Sequence, residues 1–501
     1  MLTLGQHLRS SDAPRPALRG RFPLSTFSFL LFRSAVRSPW SVVRSLAVAA
    51  LLTCSATHAA VNCEILFSFG SAPAQGRRPY SGVVVGQDGA LYGTTIQGGT
   101  NSAGTVFKIC PDGTGYALLH TFLTNGIDGQ SPVAVLQAND GKLYGTTSIG
   151  GTNKAGTIYR LNNDGSGYSV LHTFGSLAGD GQNPQAGLIE GKDGALYGTT
   201  FFGGGQDLGA VFKLNKDGST YRVLLSFSFS NSDGTNPDTA LVQGLDGVLY
   251  GATFFGGTND AGAVFKLNSD GTGYAVLRSL TGANGDGKNP DAALMQAGNG
   301  VLYGTTYSGG SNAVGTVFKL STNGTGYAVL HHFGSTGTDG RNSLGPLSAG
   351  DDGFLYGTTY LGGAGAGVIF RIALDGTSYV ILNSFSVLSG TDGQNPRSGL
   401  APASDGAFYG TTWSGGANGF GTVFRFLPPQ KPAMFDAAVA GNAVQVRFTG
   451  IGGYKYDVHR STNLVDWTSL KTLTMPASGI ATNLDTSPPP GVGLYRAAWV
   501  P

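Results

Sequence analysis

The sequence predicts an all-β chain: a seven-bladed β-propeller of four-stranded blades, its last blade closed by an N-terminal strand, followed by a small C-terminal β-sandwich. Three observations lead there. Glycine supplies 82 of 501 residues, about twice its usual share, while charged residues reach only 12%. Glu64 and Glu190 are the only glutamates, so the common surface helix formers are scarce and a mainly helical fold is excluded. Finally, one unit recurs seven times: Leu-Tyr-Gly-Thr-Thr or a close variant begins at Leu91, Leu143, Leu196, Leu249, Leu302, Leu355 and Phe408. A hydrophobic content of 41% rules out a solvated disordered chain.

Residues 1–60 read as an N-terminal extension and signal peptide. They hold seven Arg and one Asp, +6, which leaves −4 of the net +2 for the remainder. That remainder lacks the basic field nucleic-acid binding needs. Arg37 and Arg44 precede the apolar run Leu46–Leu52, and Thr57-His58-Ala59 offers a cleavage site. The run is too short to span a bilayer, so the mature chain is expected to carry no transmembrane segment. Residues 1–34 are long for a signal start, which fits either a misassigned first residue or an extension. Cys54 has Thr53 where a lipoprotein signal wants a small residue. Export leaves Cys63 and Cys110, which fit either one disulfide or two separate thiols.

Residues 61–427 carry the repeats. In the second unit the strands are expected near Val133–Gln137, Lys142–Thr147, Gly156–Leu161 and Tyr168–Phe174. Asn139-Asp140-Gly141, Gly150-Gly151-Thr152-Asn153 and Asn163-Asp164-Gly165-Ser166-Gly167 are the intervening turns. Apolar residues on both parities of these strands suit sheets sandwiched between neighbours. The chain opens with a fourth-type strand, Glu64–Phe69, and its repeats end on a third-type strand, Gly421–Phe426. Joining them would close a ring and pair both exposed edges; an open solenoid gives no reason for that offset.

The series Leu-Tyr-Gly-Thr-Thr, Gly-Gly, Gly-Thr-Val-Phe-Lys-Leu, Asp-Gly-Thr-Gly-Tyr and Val-Leu-His-Thr-Phe resembles the GloVer (Gloeobacter–Verrucomicrobia) tandem repeat of "choice-of-anchor" secreted bacterial proteins, over about residues 63–426. The resemblance implies export and often a C-terminal anchoring element, and no established reaction. This sequence ends Ala497-Ala498-Trp499-Val500-Pro501, without an apolar anchor and basic tail. Residues 428–432 form a stiff proline-rich linker. Residues 433–501 alternate as short strands at Ala443–Phe448, Lys455–Arg460, Thr468–Leu473 and Leu494–Ala498, with Tyr456, Trp467 and Tyr495 as core anchors. Tyr456–Trp467 resembles a fibronectin III-like module of secreted Verrucomicrobia-type proteins.

Chemistry is less legible. Of 27 aspartates, 17 immediately precede glycine, which turn formation alone explains. Asp-Gly-x-Asn-Pro recurs between blades, at Asp180 with Asn183, Asp233 with Asn236, Asp286 with Asn289, and Asp392 with Asn395; Asp339 begins a version without the proline. These loops share a face with the Gly-Gly loops. Their plain reading is an Asx-type turn ended by proline; their functional reading is a ring of Asp and Asn contacting a cation or sugar hydroxyls. Arg77 and Arg78 replace the pattern in the first repeat, Arg341 and Arg397 stand in the same loop class, and Trp413 follows the last Phe-Tyr-Gly-Thr-Thr. Arginines from the first, sixth and seventh blades would be neighbours round the ring and would suit an acidic glycan. No cofactor is expected: turns such as Asn268–Gly273 lack the bidentate Glu of strong calcium loops. His120, His172, His331 and His332 recur by repeat position, as satisfied strand histidines would.

Two function classes fit. One is a monomeric secreted or cell-envelope binding or structural protein that recognises an extracellular glycan or protein. The other is a propeller enzyme, a glycoside hydrolase or polysaccharide lyase, with unique polar residues in one or two blades. The near-interchangeable blades favour the first.

Overall fold

A computed structural model describes residues 63–428 except 71, 73–74, 230–232 and 389–390. In the C-terminal region it describes 434–440, 443–449, 455–462, 466–476, 480–488 and 494–500. The signal-peptide and linker expectations lie outside or at the margin of these residues. The chain forms two compact units, one over Thr57–Gln430 and one that includes Lys431–Val500. Every described element is β, and no described helix is long and apolar enough to cross a membrane.

In the large unit the described residues form seven four-stranded antiparallel sheets. The first contains Val84–Val85, Leu91–Thr95, Thr105–Ile109 and Ala117–Thr121, and the second Gly129–Gln137, Leu143–Gly150, Thr157–Leu161 and Ser169–Thr173. The seventh runs Cys63–Ser68, Thr422–Phe426, Phe408–Thr412, Ala401–Pro402, so the opening strand does complete the final sheet. Cys63 pairs with Phe426 and Ser68 with Thr422.

Each residue of the Leu-Tyr-Gly-Thr-Thr strand has a separate task. The tyrosine ring is buried and its hydroxyl donates to the Asp of its own hairpin, as in Tyr92 to Asp88 (2.7 Å), Tyr197 to Asp193 (2.7 Å) and Tyr409 to Asp405 (2.8 Å). The glycine leaves room for the aromatic of the next strand: a Cβ on Gly198 would sit 2.5 Å from Phe212 Cζ. The first threonine reaches into the following sheet, Thr94 to Val133 O and Thr146 to Ala186 O. Thr411 of the seventh sheet makes the same bond to Ser81 O of the first, at 2.8 Å. The second threonine pairs with a threonine of the third strand, as Thr95 with Thr105 at 2.8 Å.

Hydrophobic cores lie between consecutive sheets. Tyr92 and Val106 of the first pack with Leu143 and Tyr159 of the second. Ala407, Tyr409 and Val423 of the seventh pack with Leu91, Phe107 and Ile109 of the first. The arrangement is propeller-like, with each blade buried on both faces.

Innermost strands depart from expectation. In six of the sheets they are two residues long, such as Ile189–Glu190, rather than five or more. Carbonyls beside the loop proline accept from the neighbouring sheet's threonine, as Ala186 O and Thr239 O do, but Val133 O does the same within the long inner strand Gly129–Gln137, so that bond alone does not set the length.

The C-terminal unit adds two strands to the four expected. Met434–Ala440, Ala443–Thr449 and Ile480–Asp485 form one three-stranded sheet; Thr468–Thr474, Lys455–Ser461 and Leu494–Val500 form another. Val446, Phe448, Tyr456, Val458, Met475, Ala481 and Tyr495 share a core. Trp467 stands outside it, half-buried beneath the Arg496 guanidinium at 4.2 Å.

Removing residues up to Phe69 is expected to leave Thr422–Phe426 as an open edge. The truncated chain should aggregate and lose its cooperative thermal transition, whereas a chain beginning at residue 61 keeps it; scanning calorimetry and light scattering check this.

Candidate functional site

The Asp-Gly-x-Asn-Pro loops and the Gly-Gly loops do share a face: Gly181–Gln182 pairs with Phe202–Gly203 in a two-stranded ribbon, and the pattern repeats round the ring. The structure gives the aspartates of these loops structural partners. Asp180 is buried; it accepts from Tyr221 of the next repeat (2.5 Å), from Ser176 N–H (3.1 Å) and from Gly181 N–H (2.8 Å), and it lies 3.2 Å from His172 Nε2. Asp339 repeats this with His331 and Tyr379, and Asp286 with Arg278 and Tyr327. Burial alone would raise these carboxyls, but the hydrogen bonds outweigh it and hold all three below the ordinary carboxylate range. Asp233 accepts from Ser228 Oγ at 2.9 Å and Asp392 from Ser386 N–H at 3.0 Å.

The asparagines are hinges. Asn183, Asn236, Asn289 and Asn395 all lie in the left-handed region, with φ between 55° and 58°. Each donates its backbone N–H and its Nδ2 to the preceding blade, as Asn183 does to Ala155 O and Ser148 O. Asparagine tolerates this conformation better than most side chains. Arg78 holds the equivalent place in the first repeat, with φ 57° and its N–H on Phe420 O.

Cys63 and Cys110 are both free in this structure. Cys63 occupies the repeat position held elsewhere by Tyr168 or Tyr221, and burial followed by the charge of Asp392 pushes its thiol above the usual range. Cys110 opens the tight turn closed by its N–H on Thr114 O.

The blades cease to resemble one another at the residue after each loop's proline or its substitute. That column reads Tyr80, Val133, Gln185, Asp238, Asp291, Leu344 and Arg397. All seven line a single cavity of about 330 Å³, whose remaining walls are mostly Val, Ala, Leu and Gly. Arg397 Nη2 donates to Tyr80 OH at 2.9 Å, and its guanidinium stacks 4.2 Å from the Tyr80 ring and 5.9 Å from that of Trp413. Arg78 stacks on Trp413 at 5.4 Å, and Tyr80 meets Trp413 edge to face at 6.3 Å. Of the predicted arginines, Arg78 and Arg397 are therefore brought together with Trp413. Arg77 turns onto Phe420 at 4.3 Å, and Arg341 is exposed outside the cavity lining.

Asp238 and Asp291, on adjacent blades, face the same cavity closely enough for each carboxyl to perturb the other. Burial raises both carboxyls. The charge of Asp291 raises Asp238 further, while Arg397 draws both down and leaves Asp291 at about 6. Burial also lifts the Tyr80 hydroxyl to about 12, against the opposing pull of Arg397. Sequence reasoning missed Tyr80, Asp238 and Asp291 because they belong to no motif. Aligning the seven repeats and reading the one column that varies in polarity would have found them. A second column, the residue after Thr-Thr, is aromatic in five successive blades: Phe201, Phe254, Tyr307, Tyr360 and Trp413.

The two sets of aspartates predict opposite pH responses. Asp238 binds more protons folded than unfolded, so it costs stability as pH rises above the ordinary carboxylate value; Asp238→Asn should unfold at a higher temperature than wild type, by a margin that widens from about pH 4 to about pH 8. Asp339 is depressed and contributes stability above that value; Asp339→Asn should lose about 1–3 kcal/mol near neutrality, a deficit that shrinks as pH falls below about 4. Thermal melts across that range check both.

No curated protein matches the sequence. Among solved structures, the extracellular domain of a one-component system from B. thetaiotaomicron superposes with a TM-score of 0.47 at 12% identity, over 84% of this chain but only 53% of that one. Oligogalacturonate lyase from Vibrio parahaemolyticus superposes with a TM-score of 0.46 at 11% identity, over 74% of this chain and 97% of that one. The model of the Gloeobacter/Verrucomicrobia repeat matches residues 54–245 and 227–424, most of the chain. The chain belongs to the Gloeobacter/Verrucomicrobia repeat family.

Proposed function

We propose that this protein is a secreted or cell-envelope binding protein, a seven-bladed β-propeller that recognises an extracellular acidic glycan at the mouth of its channel. The observation that carries this reading is the meeting of Arg78, Trp413, Arg397 and Tyr80 where the seventh sheet joins the first. Sugar rings present apolar faces that stack on indole and phenol rings, and guanidinium forks match carboxylates in two-point contact. The two requirements coincide here and at no other predicted loop position. Export rests on the Arg37–Ala59 pattern, and the C-terminal unit is read as a small fibronectin III-like sandwich of the choice-of-anchor type. The protein acts as a monomer without a cofactor in this reading.

One observation favours the enzyme alternative: Asp238 and Asp291 are acids that the other blades lack. Glycosidase carboxyls stand about 5–5.5 Å apart in retaining enzymes and about 6.5–9.5 Å apart in inverting ones, and that separation is the test this pair would have to meet.

An array of neutral, uronate and sulfated oligosaccharides, probed with and without calcium, tests the proposal. Uronate ligands should be retained, and Arg397→Ala and Trp413→Ala should each weaken binding by about tenfold or more. Turnover of one glycan in the absence of stable binding would reverse the ranking.

A further inference from the structure

The channel cavity poses a charge problem that the glycan reading leaves open. Asp238 and Asp291 enter it from neighbouring blades, and the lining they share is mostly Val, Ala, Leu and Gly, with Gln185, Thr239, Tyr80 and Arg397 among its polar members. Asp238 keeps some surface on the cavity, but its Oδ1 is fully enclosed and accepts no hydrogen bond from any described N–H or O–H group. The basic group that lines the same space, Arg397, spends its Nη2 on Tyr80 OH and lies flat on that ring. Among the described residues, no ion pair includes either acid. Two carboxyls in such surroundings cannot both ionise without a cation between them. The protein supplies the field of Arg397, which makes no ion pair with either acid, and a shared proton.

The chemistry of the walls selects the cation. No group of three or more His, Cys, Asp or Glu side chains that could hold a metal ion occurs among the described residues, so a metal ion here would rest on two carboxylates and water. An ammonium group needs about three acceptors, and the carbon body behind it prefers alkyl walls. The cavity, about 330 Å³, has the size of a small-ligand site. We propose that it is a binding site for a compact primary amine, whose ammonium takes the place of the proton held between Asp238 and Asp291 while that proton passes to solvent. The amine site shares the cavity of Tyr80 and Arg397 with the glycan reading but rests on Asp238 and Asp291, so the two are told apart by which variants weaken which ligand.

Calorimetric titration of the full chain near neutral pH, in two buffers of different ionisation enthalpy, tests it. The probes are cyclohexylamine against cyclohexanol, and glucosamine against N-acetylglucosamine. Amines should bind at least about tenfold more tightly than their neutral counterparts, with close to one proton released, and both Asp238→Asn and Asp291→Asn should weaken the amine by about tenfold or more. Both variants should melt no lower than wild type, which separates lost binding from lost fold. Binding of glucosamine would identify an amino sugar as the natural source, and binding of cyclohexylamine alone an aliphatic amine. Equal affinity for cyclohexanol, no binding of either amine, or unchanged affinity in both Asn variants would overturn the assignment.

Discussion

The pairing of Cys63–Ser68 with Thr422–Phe426 is the constraint on which the large unit depends. Repeats of this kind bury their faces only against one another, so a linear array would leave an uncovered face at each end and an unpaired edge in its last sheet. The strand pairing removes the edge. The core shared by Tyr409, Val423, Leu91 and Phe107 removes the faces, and Thr411 on Ser81 O and Arg78 N–H on Phe420 O reproduce there the bonds made at other blade junctions. The closing junction is nevertheless chemically unlike the rest. Gln75 stands where other repeats carry the loop aspartate, and Cys63 replaces the tyrosine that would reach Asp392. That freedom lets Arg77, Arg78 and Trp413 differ from their counterparts.

Two kinds of acidic residue follow from this plan. The loop aspartates sit where two blades join. Asp180, Asp286 and Asp339 each gather a tyrosine from the next repeat and a histidine or arginine from their own, so ionisation is favoured despite burial. The channel aspartates have no such partners. A fold that meets donor demand at Asp180, Asp286 and Asp339 and leaves Asp238 Oδ1 without a donor marks that position as unlike the scaffold.

Much of the architecture was legible because it is repetitive. Seven copies expose the strand order, the turn chemistry, the two loop faces and the offset that demands closure. The lengths of the inner strands were not legible: Val133 O and Ala186 O both accept from a neighbouring sheet's threonine, yet Gly129–Gln137 is nine residues long and Ile189–Glu190 two. The loop aspartates looked like ligand candidates because polarity alone cannot distinguish a buried hinge from an open site; the decisive partner of Asp180 is Tyr221, one repeat further along the chain. Repetition also concealed the channel. Motif reading rewards what recurs, and Tyr80, Asp238, Asp291 and Arg397 share a position but no residue type.

Amide hydrogen exchange of the opening strand tests the central claim most directly. If Cys63–Ser68 is an integral member of the seventh sheet, its amides are protected as strongly as those of Thr422–Phe426 and open with them in a single cooperative step. Exchange of Cys63–Ser68 at the rate of free peptide, while Thr422–Phe426 remains protected, would contradict a closed ring.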